Sequence, residues 1–344
     1  MSYITFQPSD HFNVKLYTGN GSTQSITGVG FQPDFVWIKD RTNTYDNAVF
    51  DAIRGATKRI VTNSGNGETT ASTDLTSFES DGFNLGAGSN VNNNSNNFVS
   101  WNWKMNGAGS SNSDGSVTST VSVNSTADMS IVTWTGTGSA ATIGHGLSGT
   151  PDYIIVKCLA SGENWMIWSN LMAANEYLRL STNAAIATGN NEWNNTLPAA
   201  SVFTVGSENT TNKSGAGMVA YCFKNVKGFS HAGSYIGNGN GNGIFAYTGF
   251  KPKFILFKRA VGGTDSWFIN DTARATFNPS TAYMRPNETS AEGTSSAHKI
   301  DIVSNGFKVR STDTSYNTSG NTYTYLAFAE EPLVSSNNLP ATAR

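Results

Sequence analysis

The chain repeats one residue pattern three times, and this constrains its fold more than any other feature of the sequence. Each copy has a proline, a polar residue, an apolar run and then a lysine six positions after the proline. The prolines are Pro33, Pro151 and Pro252, and the lysines are Lys39, Lys157 and Lys258. Repetition of this pattern at intervals of 118 and 101 residues predicts three copies of one structural unit.

Other landmarks keep the same order around each proline. An aromatic residue precedes a Gly-rich turn upstream, and an apolar strand, an arginine, a phenylalanine and a last apolar strand follow downstream. The aligned sets are Tyr17, Trp134 and Tyr235; Phe50, Ile167 and Ile269; Arg59, Arg179 and Arg285; Phe83, Phe203 and Phe307; and Phe98, Met218 and Tyr323. We therefore predict repeats at 12–106, 130–227 and 228–330, a Gly/Ser-rich linker at 107–129, and tails at 1–11 and 331–344.

The composition predicts that these units are built from strands. Strand-forming Val, Ile, Tyr, Phe, Trp and Thr alternate with Gly and Asn, which are turn formers and poor helix formers. Hydrophobic residues make up 38% of the chain, enough for a core. A unit of about 100 residues with seven or more short strands has the size of one antiparallel sandwich. We predict an all-β protein of three tandem antiparallel β-sandwich repeats, jelly-roll or lectin-like.

Charge and apolar pattern exclude several function classes. The net charge of −2 leaves no broad basic surface for nucleic acid. No apolar run approaches the roughly 18 residues of a membrane helix, and no secretory signal pattern follows Met1. The two cysteines, Cys158 and Cys222, are too few for a disulfide scaffold, so we expect buried thiols. We expect neither a nucleic-acid partner nor membrane insertion.

The recurring lysines and arginines are the first candidates for a functional role. They could hold an anionic ligand in each unit, or they could cap strand ends against nearby carbonyl or carboxylate groups. No further polar partners recur in all three copies, and this favours the capping interpretation.

Catalytic and metal-binding patterns are weak. A glycoside hydrolase needs two carboxylates across a cleft, and the candidate pairs Glu79 with Asp81 and Asp265 with Asp271 do not recur between copies. The histidines lack metal-ligand spacing, and no calcium loop or phosphate-binding loop occurs. We therefore predict no enzyme activity, no catalytic residues, no metal site and no cofactor.

Aromatic residues outside the landmarks suggest carbohydrate binding, because aromatic rings stack on sugar faces. Tyr45, Trp193 and Tyr316 lie in Asn-, Thr- and Ser-rich stretches. We take them as the surface candidates for a glycan site, although a packing role for each remains the alternative.

The first copy resembles a known group of proteins. The stretches 6–21, 28–39, 50–55, 77–83 and 101–104 together resemble a domain of unknown function found in virion proteins of tailed bacteriophages, especially marine phages of cyanobacteria. The second and third copies look like divergent versions, and only the third keeps part of the Asp51–Arg54 motif, at Asp271 and Arg274. The resemblance implies a structural particle protein and no catalytic residues.

We therefore predict a bacteriophage virion structural protein, made in the host cytoplasm and assembled as an oligomer with other tail or capsid proteins. It would be a fibre- or spike-like component for host attachment or particle decoration. Phe6, Leu333 and Val334 are the expected anchoring contacts in the tails. The alternatives are a capsid decoration or cement protein and a polysaccharide-degrading or carbohydrate-binding tail protein that contacts a host surface glycan.

Overall fold

A computed structural model describes residues 4–334 and 339–342. The protein is all-β, with several antiparallel sheets, as the composition predicts. We call residues 12–106 the first region, 129–227 the middle region and 228–332 the last region. A short 3-10 helix at Pro8–Asp10 precedes the first region. None of the helices in the described residues is long and apolar enough to span a membrane.

The first region contains nine strands and one helical turn. They are β1 (Phe12–Thr18), β2 (Gln24–Thr27), β3 (Phe35–Asp40), β4 (Ala48–Asp51), β5 (Lys58–Val61), β6 (Thr69–Thr70), β7 (Leu75–Glu79), β8 (Gly82–Leu85), α1 (Ser89–Asn92) and β9 (Asn97–Trp103).

The middle region is preceded by β10 (Ser110–Asn112) and β11 (Ser119–Asn124). Its own elements are β12 (Met129–Thr135), β13 (Ala141–Gly144), β14 (Tyr153–Cys158), β15 (Met166–Ser169), β16 (Glu176–Arg179), β17 (Ala187–Thr188), β18 (Val202–Val205), α2 (Asn209–Asn212) and β19 (Gly217–Phe223).

The last region has nine strands and one helical turn as well. They are β20 (Ser230–Ile236), β21 (Phe245–Tyr247), β22 (Phe250–Arg259), β23 (Phe268–Asp271), β24 (Ala282–Tyr283), β25 (Gly293–Thr294), β26 (Ile300–Val303), β27 (Gly306–Val309), α3 (Thr314–Asn317) and β28 (Thr322–Pro332).

Each region has one larger and one smaller sheet whose strand orders correspond, and the last region has in addition the two-stranded sheet β24-β25. The larger sheets run β1-β9-β3-β4-β5-β6, β12-β19-β14-β15-β16-β17 and β20-β28-β22-β23. The smaller sheets run β2-β8-β7, β13-β18 and β21-β27-β26. In the last region, a bridge between Ile269 and Met284 carries the larger sheet on toward β24. The last strand of each region therefore lies between its first and third strands.

Two segments differ from their predicted roles. The segment 107–129, expected to be a Gly/Ser-rich linker, contains β10 and β11 and the first residue of β12. Both strands extend the sheet of the middle region, making it eight-stranded. Thr120, Val121 and Val123 supply the β-branched side chains that favour a strand here. The predicted C-terminal tail likewise begins inside β28, because Glu331 and Pro332 pair with Lys251 and Phe250.

The larger sheets share one hydrophobic core. Trp103, Phe223 and Phe328 occupy the same position in the last strand of each region, and the ring of Phe328 lies 5.5 Å from each of the other two ring centroids. These distances suit favourable edge-to-face contacts between rings. This core thus joins the three regions, and two further buried clusters lie within the last region and within the first region.

The two cysteines are buried thiols, as expected. They lie on adjacent strands, but Cys158 faces Met218 whereas Cys222 faces Ile154. The offset of four residues corresponds to about 14 Å along a strand, which excludes a disulfide without rearrangement.

Candidate functional site

The recurring lysines join the three regions to one another. Each is fully buried, and each donates from Nζ to one backbone oxygen in its own region and one in a neighbour. Lys39 donates to Tyr45 (2.6 Å) and to Thr289 of the last region (2.8 Å); Lys157 donates to Glu163 (2.6 Å) and to Gly65 of the first region (3.2 Å); Lys258 donates to Asp265 and to Asn183 of the middle region (3.0 Å).

A second set of contacts repeats beside the lysines. The residue before the fourth strand of each region donates a side-chain N–H to a backbone oxygen of the same neighbour. Asn47 donates to Glu288 (2.7 Å), Trp165 donates to Val61 (2.7 Å) and Trp267 donates to Arg179 (2.9 Å).

A third set uses backbone groups alone. The amide of Glu68 donates to the oxygen of Leu159 (2.8 Å), that of Ile186 to the oxygen of Ala260 (2.8 Å), and that of Glu292 to the oxygen of Arg41 (3.0 Å). Each set joins the first region to the last, the middle to the first and the last to the middle, and in the third set the donor and acceptor regions are exchanged. The contacts therefore close a ring of three interfaces.

The lysine contacts explain the recurring lysines without a ligand. Each ammonium group is already directed at two carbonyl oxygens, so capping is the interpretation that fits. Burial lowers the pKa of Lys39, Lys157 and Lys258 to about 8 each, because the charged form loses its hydration.

Two of the three interfaces also contain a buried ionic cluster. Between the first and middle regions, Arg54 lies against Asp51 and 3.2 Å from Glu68. The hydroxyl of Tyr221, from the middle region, donates to Asp51 (2.7 Å). Burial acts to lower the pKa of Arg54, but Asp51, Tyr221 and Glu68 together outweigh burial and raise that pKa. Burial and the same carboxylate hold the pKa of Tyr221 well above its ordinary value.

The interface between the last and first regions has the same design. Arg274 lies 2.6 Å from Asp271 and 3.2 Å from Glu292. The indole N–H of Trp101, from the first region, donates to Asp271 (3.0 Å). Asp271 and Arg274 are the part of the Asp51–Arg54 motif that the last region retains, and the structure shows that both copies of the motif serve an interface.

The third interface, between the middle and last regions, is largely apolar. Ser169, Met172 and Ile186 take the places of the aspartate, arginine and glutamate, and Leu326 takes the place of Tyr221 or Trp101. The side chains of Ser169 and Thr324 make a buried 3.4 Å contact there. The acidic and basic residues are thus replaced together, leaving no charge of the cluster unpaired.

Three buried asparagines were missed by the sequence reasoning. Asn92, Asn212 and Asn317 each end the helical turn before the last strand of a region and are fully buried. Each donates to two backbone oxygens and accepts a backbone N–H from the first turn of its region. The donor contacts reach Ser22 and Gly86, Ser139 and Gly206, and Asn240 and Ser311, at 2.5–2.8 Å.

These asparagines recur at a fixed distance before the last strand, and that spacing could have revealed them. Their side-chain groups replace backbone partners and fix the turn between the first two strands of each region. The wide glycine-rich loop at 237–243 is held in this way by Asn317.

The predicted surface aromatics are mostly inside the protein. Trp193 is 2% exposed and Tyr316 is 0% exposed. Tyr316 stacks on His298 with ring centroids 5.0 Å apart and packs against Phe257. The expectation of a sugar-stacking surface is therefore wrong for Trp193 and Tyr316, whose rings are used in packing. Tyr45 is half-buried in the loop whose backbone oxygen accepts from Lys39.

The carboxylates considered for hydrolysis have structural partners. Asp265 pairs with Arg259 at 2.9 Å, and Asp271 pairs with Arg274. Asp81 is an exposed turn residue that accepts N–H groups from Gly28 and Gly30, and these bonds lower the pKa of Asp81. Within residues 4–334 and 339–342, no three His, Cys, Asp or Glu residues are grouped to hold a metal ion.

The predicted anchoring residues contact their own chain. Phe6 lies 5.5 Å from the ring of Phe229 and 4.8 Å from that of His11. Leu333 accepts a backbone hydrogen bond from Ala341 (2.9 Å), and Val334 pairs with Pro340. Gln7 lines one cavity of about 190 Å³ together with Glu331, Pro332, Leu339, Pro340 and Ala341.

Comparison with known proteins gives one family. No match to a curated protein was found, and none to a solved structure. A family model described as a domain of unknown function, DUF7483, matches residues 7–332. The match covers all three regions and the three interfaces between them, so the ring as a whole corresponds to one family domain. The chain therefore belongs to the DUF7483 family.

Proposed function

We propose that this protein is a non-catalytic bacteriophage virion structural protein, a fibre- or spike-like component for attachment or particle decoration. In this proposal the chain is three copies of one β-sandwich closed into a ring. The virion assignment rests on the resemblance of the first region to phage particle proteins. The structural role rests on the hydrogen bonds and ion pairs between the three regions.

The observation that carries the structural role is the use of the recurring polar residues. In an enzyme, buried lysines and carboxylates with shifted pKa values commonly face a cleft. Here Lys39, Lys157 and Lys258 face carbonyl oxygens across the interfaces. Asp51 and Asp271 are buried and paired with arginines, although Arg54 and Glu68 also line a cavity of about 400 Å³ between the first and middle regions. Such an arrangement stabilises a rigid body.

Particle composition tests this proposal. Virions of the phage that encodes the chain are purified on a density gradient, analysed by peptide mass spectrometry and labelled with gold-conjugated antibody to the recombinant protein. We expect the protein in intact particles and label on the tail fibres or tip. Label on the head would favour the decoration alternative. Protein in the infected lysate but not in purified particles would disprove the virion role.

Truncation tests the anchoring role of the C-terminal segment. Because β28 ends at Pro332, removal of residues 333–344 spares the strand, whereas removal from 331 would shorten it. We expect the shortened protein to keep its unfolding temperature and to be lost from particles. Normal incorporation would rule out Leu333 and Val334 as anchors.

A further inference from the structure

The edge of the last region formed by β20 and β21 carries exposed apolar side chains, whereas the aligned positions of the other two regions carry threonine, serine or glycine. Ile236 at the end of β20, and Phe245 and Tyr247 on β21, are 62%, 47% and 55% exposed. Strand pairing aligns these positions across the regions. Ile236 corresponds to Thr18 and Thr135, Phe245 to Ser25 and Thr142, and Tyr247 to Thr27 and Gly144.

The middle region shows what can occupy this edge. The segment 116–121 first lies beside β13 and then pairs with β12. The amide of Val117 donates to the oxygen of Thr142 (3.2 Å), and the hydroxyl of Ser119 donates to the oxygen of Gly144 (3.0 Å). Thr120 then pairs with Thr133 of β12. A strand from outside the sandwich thus covers both edge strands.

The aligned edge of the last region is uncovered. Among the described residues, β20 and β21 each lie at the end of their sheet order. A cavity of about 490 Å³ lies beside the start of β20 and the end of β21, and its lining includes Lys227, His231 and Tyr247 but neither Phe245 nor Ile236. The start of β20 is already occupied, since Asn225 exchanges hydrogen bonds with the backbone of Ala232. The available edge is therefore β21 together with Ser234 and Ile236.

We propose that this edge binds an extended, uncharged strand of a partner protein, rich in Ser, Thr and Val, that pairs with β21 and covers Phe245 and Tyr247. Backbone pairing with a sheet edge gives affinity, and the alternate side chains give specificity. The segment 116–121, which carries no charged residue, is the template for the partner's chemistry. That the partner is another particle protein rests on the proposed function; the site itself does not.

A peptide experiment tests the site. A fluorescein-labelled peptide with the sequence of residues 116–124 is titrated with the full-length protein, and fluorescence anisotropy is measured. We expect binding that weakens at least tenfold in the double variant Phe245→Ser, Tyr247→Thr, which carries the residues of the first region. The matched control, Ser25→Ala with Thr27→Ala, should bind as the wild type does. Hydrogen exchange should show new protection at 245–247 and none at 25–27.

The remaining outcomes would overturn the proposal. These are no peptide binding, equal binding by the double variant, self-association that the double variant abolishes, or glycan binding at this edge without peptide binding. If the double variant melts at a lower temperature than the wild type, Tyr247→Thr alone replaces it. Failure of the peptide to bind would leave the particle-composition test of the virion role unaffected.

Discussion

The interface between the first and middle regions and the interface between the middle and last regions hold equivalent surfaces together by different means. The former buries Arg54 between Asp51 and Glu68 and adds the hydroxyl of Tyr221. The latter places Met172 at the position of the arginine and Leu326 at that of the tyrosine. Both keep the lysine, indole and backbone contacts.

This difference shows which contacts occur at every interface and which occur at only two of them. The carbonyl contacts of the lysines recur three times, whereas the ionic cluster occurs twice and is replaced as a set in the third interface. A buried ion pair is often no more stabilising than well-packed apolar residues of similar size, but removing one partner leaves a buried charge. The apolar interface therefore serves as an internal reference for the ionic ones.

The largest effect is expected from breaking one ionic cluster. Arg54→Met introduces the residue of the middle region but leaves Asp51 and Glu68 without the guanidinium. We expect a loss of about 3–5 kcal/mol in the free energy of unfolding, because Asp51 stays buried and uncompensated. Chemical denaturation measures it. Met172→Leu, at the aligned position, is the control and should lose less than about 1.5 kcal/mol. Equal losses in the two variants would contradict the comparison.

The sequence revealed a residue pattern that occurs three times, but it did not reveal which residues contact one another across the interfaces. The all-β class could be predicted from the strand-forming and turn-forming composition, and the capping lysines from their fixed position six residues after each proline. The neighbour of each lysine could not, because Thr289 lies 250 positions from Lys39 and only the closed ring joins them. Trp193 and Tyr316 were misplaced because polar flanking sequence does not report the burial of one side chain. The strands in 107–129 were missed because Gly and Ser dominate its start.

A smaller effect is expected from removing one hydrogen-bond donor. Trp101→Phe removes the N–H that Asp271 accepts, and Trp267→Phe removes an N–H from a neutral backbone oxygen at the apolar interface. Hydrogen bonds to charged groups contribute about 1.5–3 kcal/mol, and neutral ones about 0.5–1.5 kcal/mol. We expect Trp101→Phe to lower the free energy of unfolding more than Trp267→Phe does. The reverse order in denaturant titrations would show that the indole contacts are not ranked by charge.

The lysines should give a similar pH dependence at ionic and apolar interfaces. Their pKa is lowered to about 8 in the folded protein from an ordinary value of 10.5. Between these values the unfolded chain binds more protons, so the free energy of unfolding rises with pH, by up to about 1.4 kcal/mol per pH unit for each lysine. Below pH 8 both states are protonated and this contribution is flat.

Lysine variants isolate this pH dependence. The stability difference between wild type and Lys39→Met should grow from pH 8 to pH 10, and the difference for Lys258→Met should grow with a similar slope. Lys39 lies at an ionic interface and Lys258 at the apolar one. Unequal slopes would show that the nearby carboxylate clusters, and not burial, set the lysine pKa values.

A small net effect is expected even from the most extensive change. The five substitutions Asp51→Ser, Arg54→Met, Glu68→Ile, Val219→Thr and Tyr221→Leu convert the first ionic interface into the apolar one. Val219→Thr is included because its position is that of Thr324, the partner of Ser169. No buried charge of the cluster is then left unpaired. We therefore expect a free energy of unfolding within about 2 kcal/mol of the wild type, and recovery of most of the loss caused by Arg54→Met alone.

Variants that carry only some of the five substitutions test whether the buried charge of Asp51 causes the loss of stability. Arg54→Met combined only with Glu68→Ile keeps Asp51 buried and should remain nearly as unstable as Arg54→Met, whereas adding Asp51→Ser should restore stability. Such non-additivity is expected among side chains that share one network. If the five substitutions instead add their separate losses, the ionic cluster contributes more than its apolar counterpart. The two kinds of interface would then not be alternative solutions to the same contact.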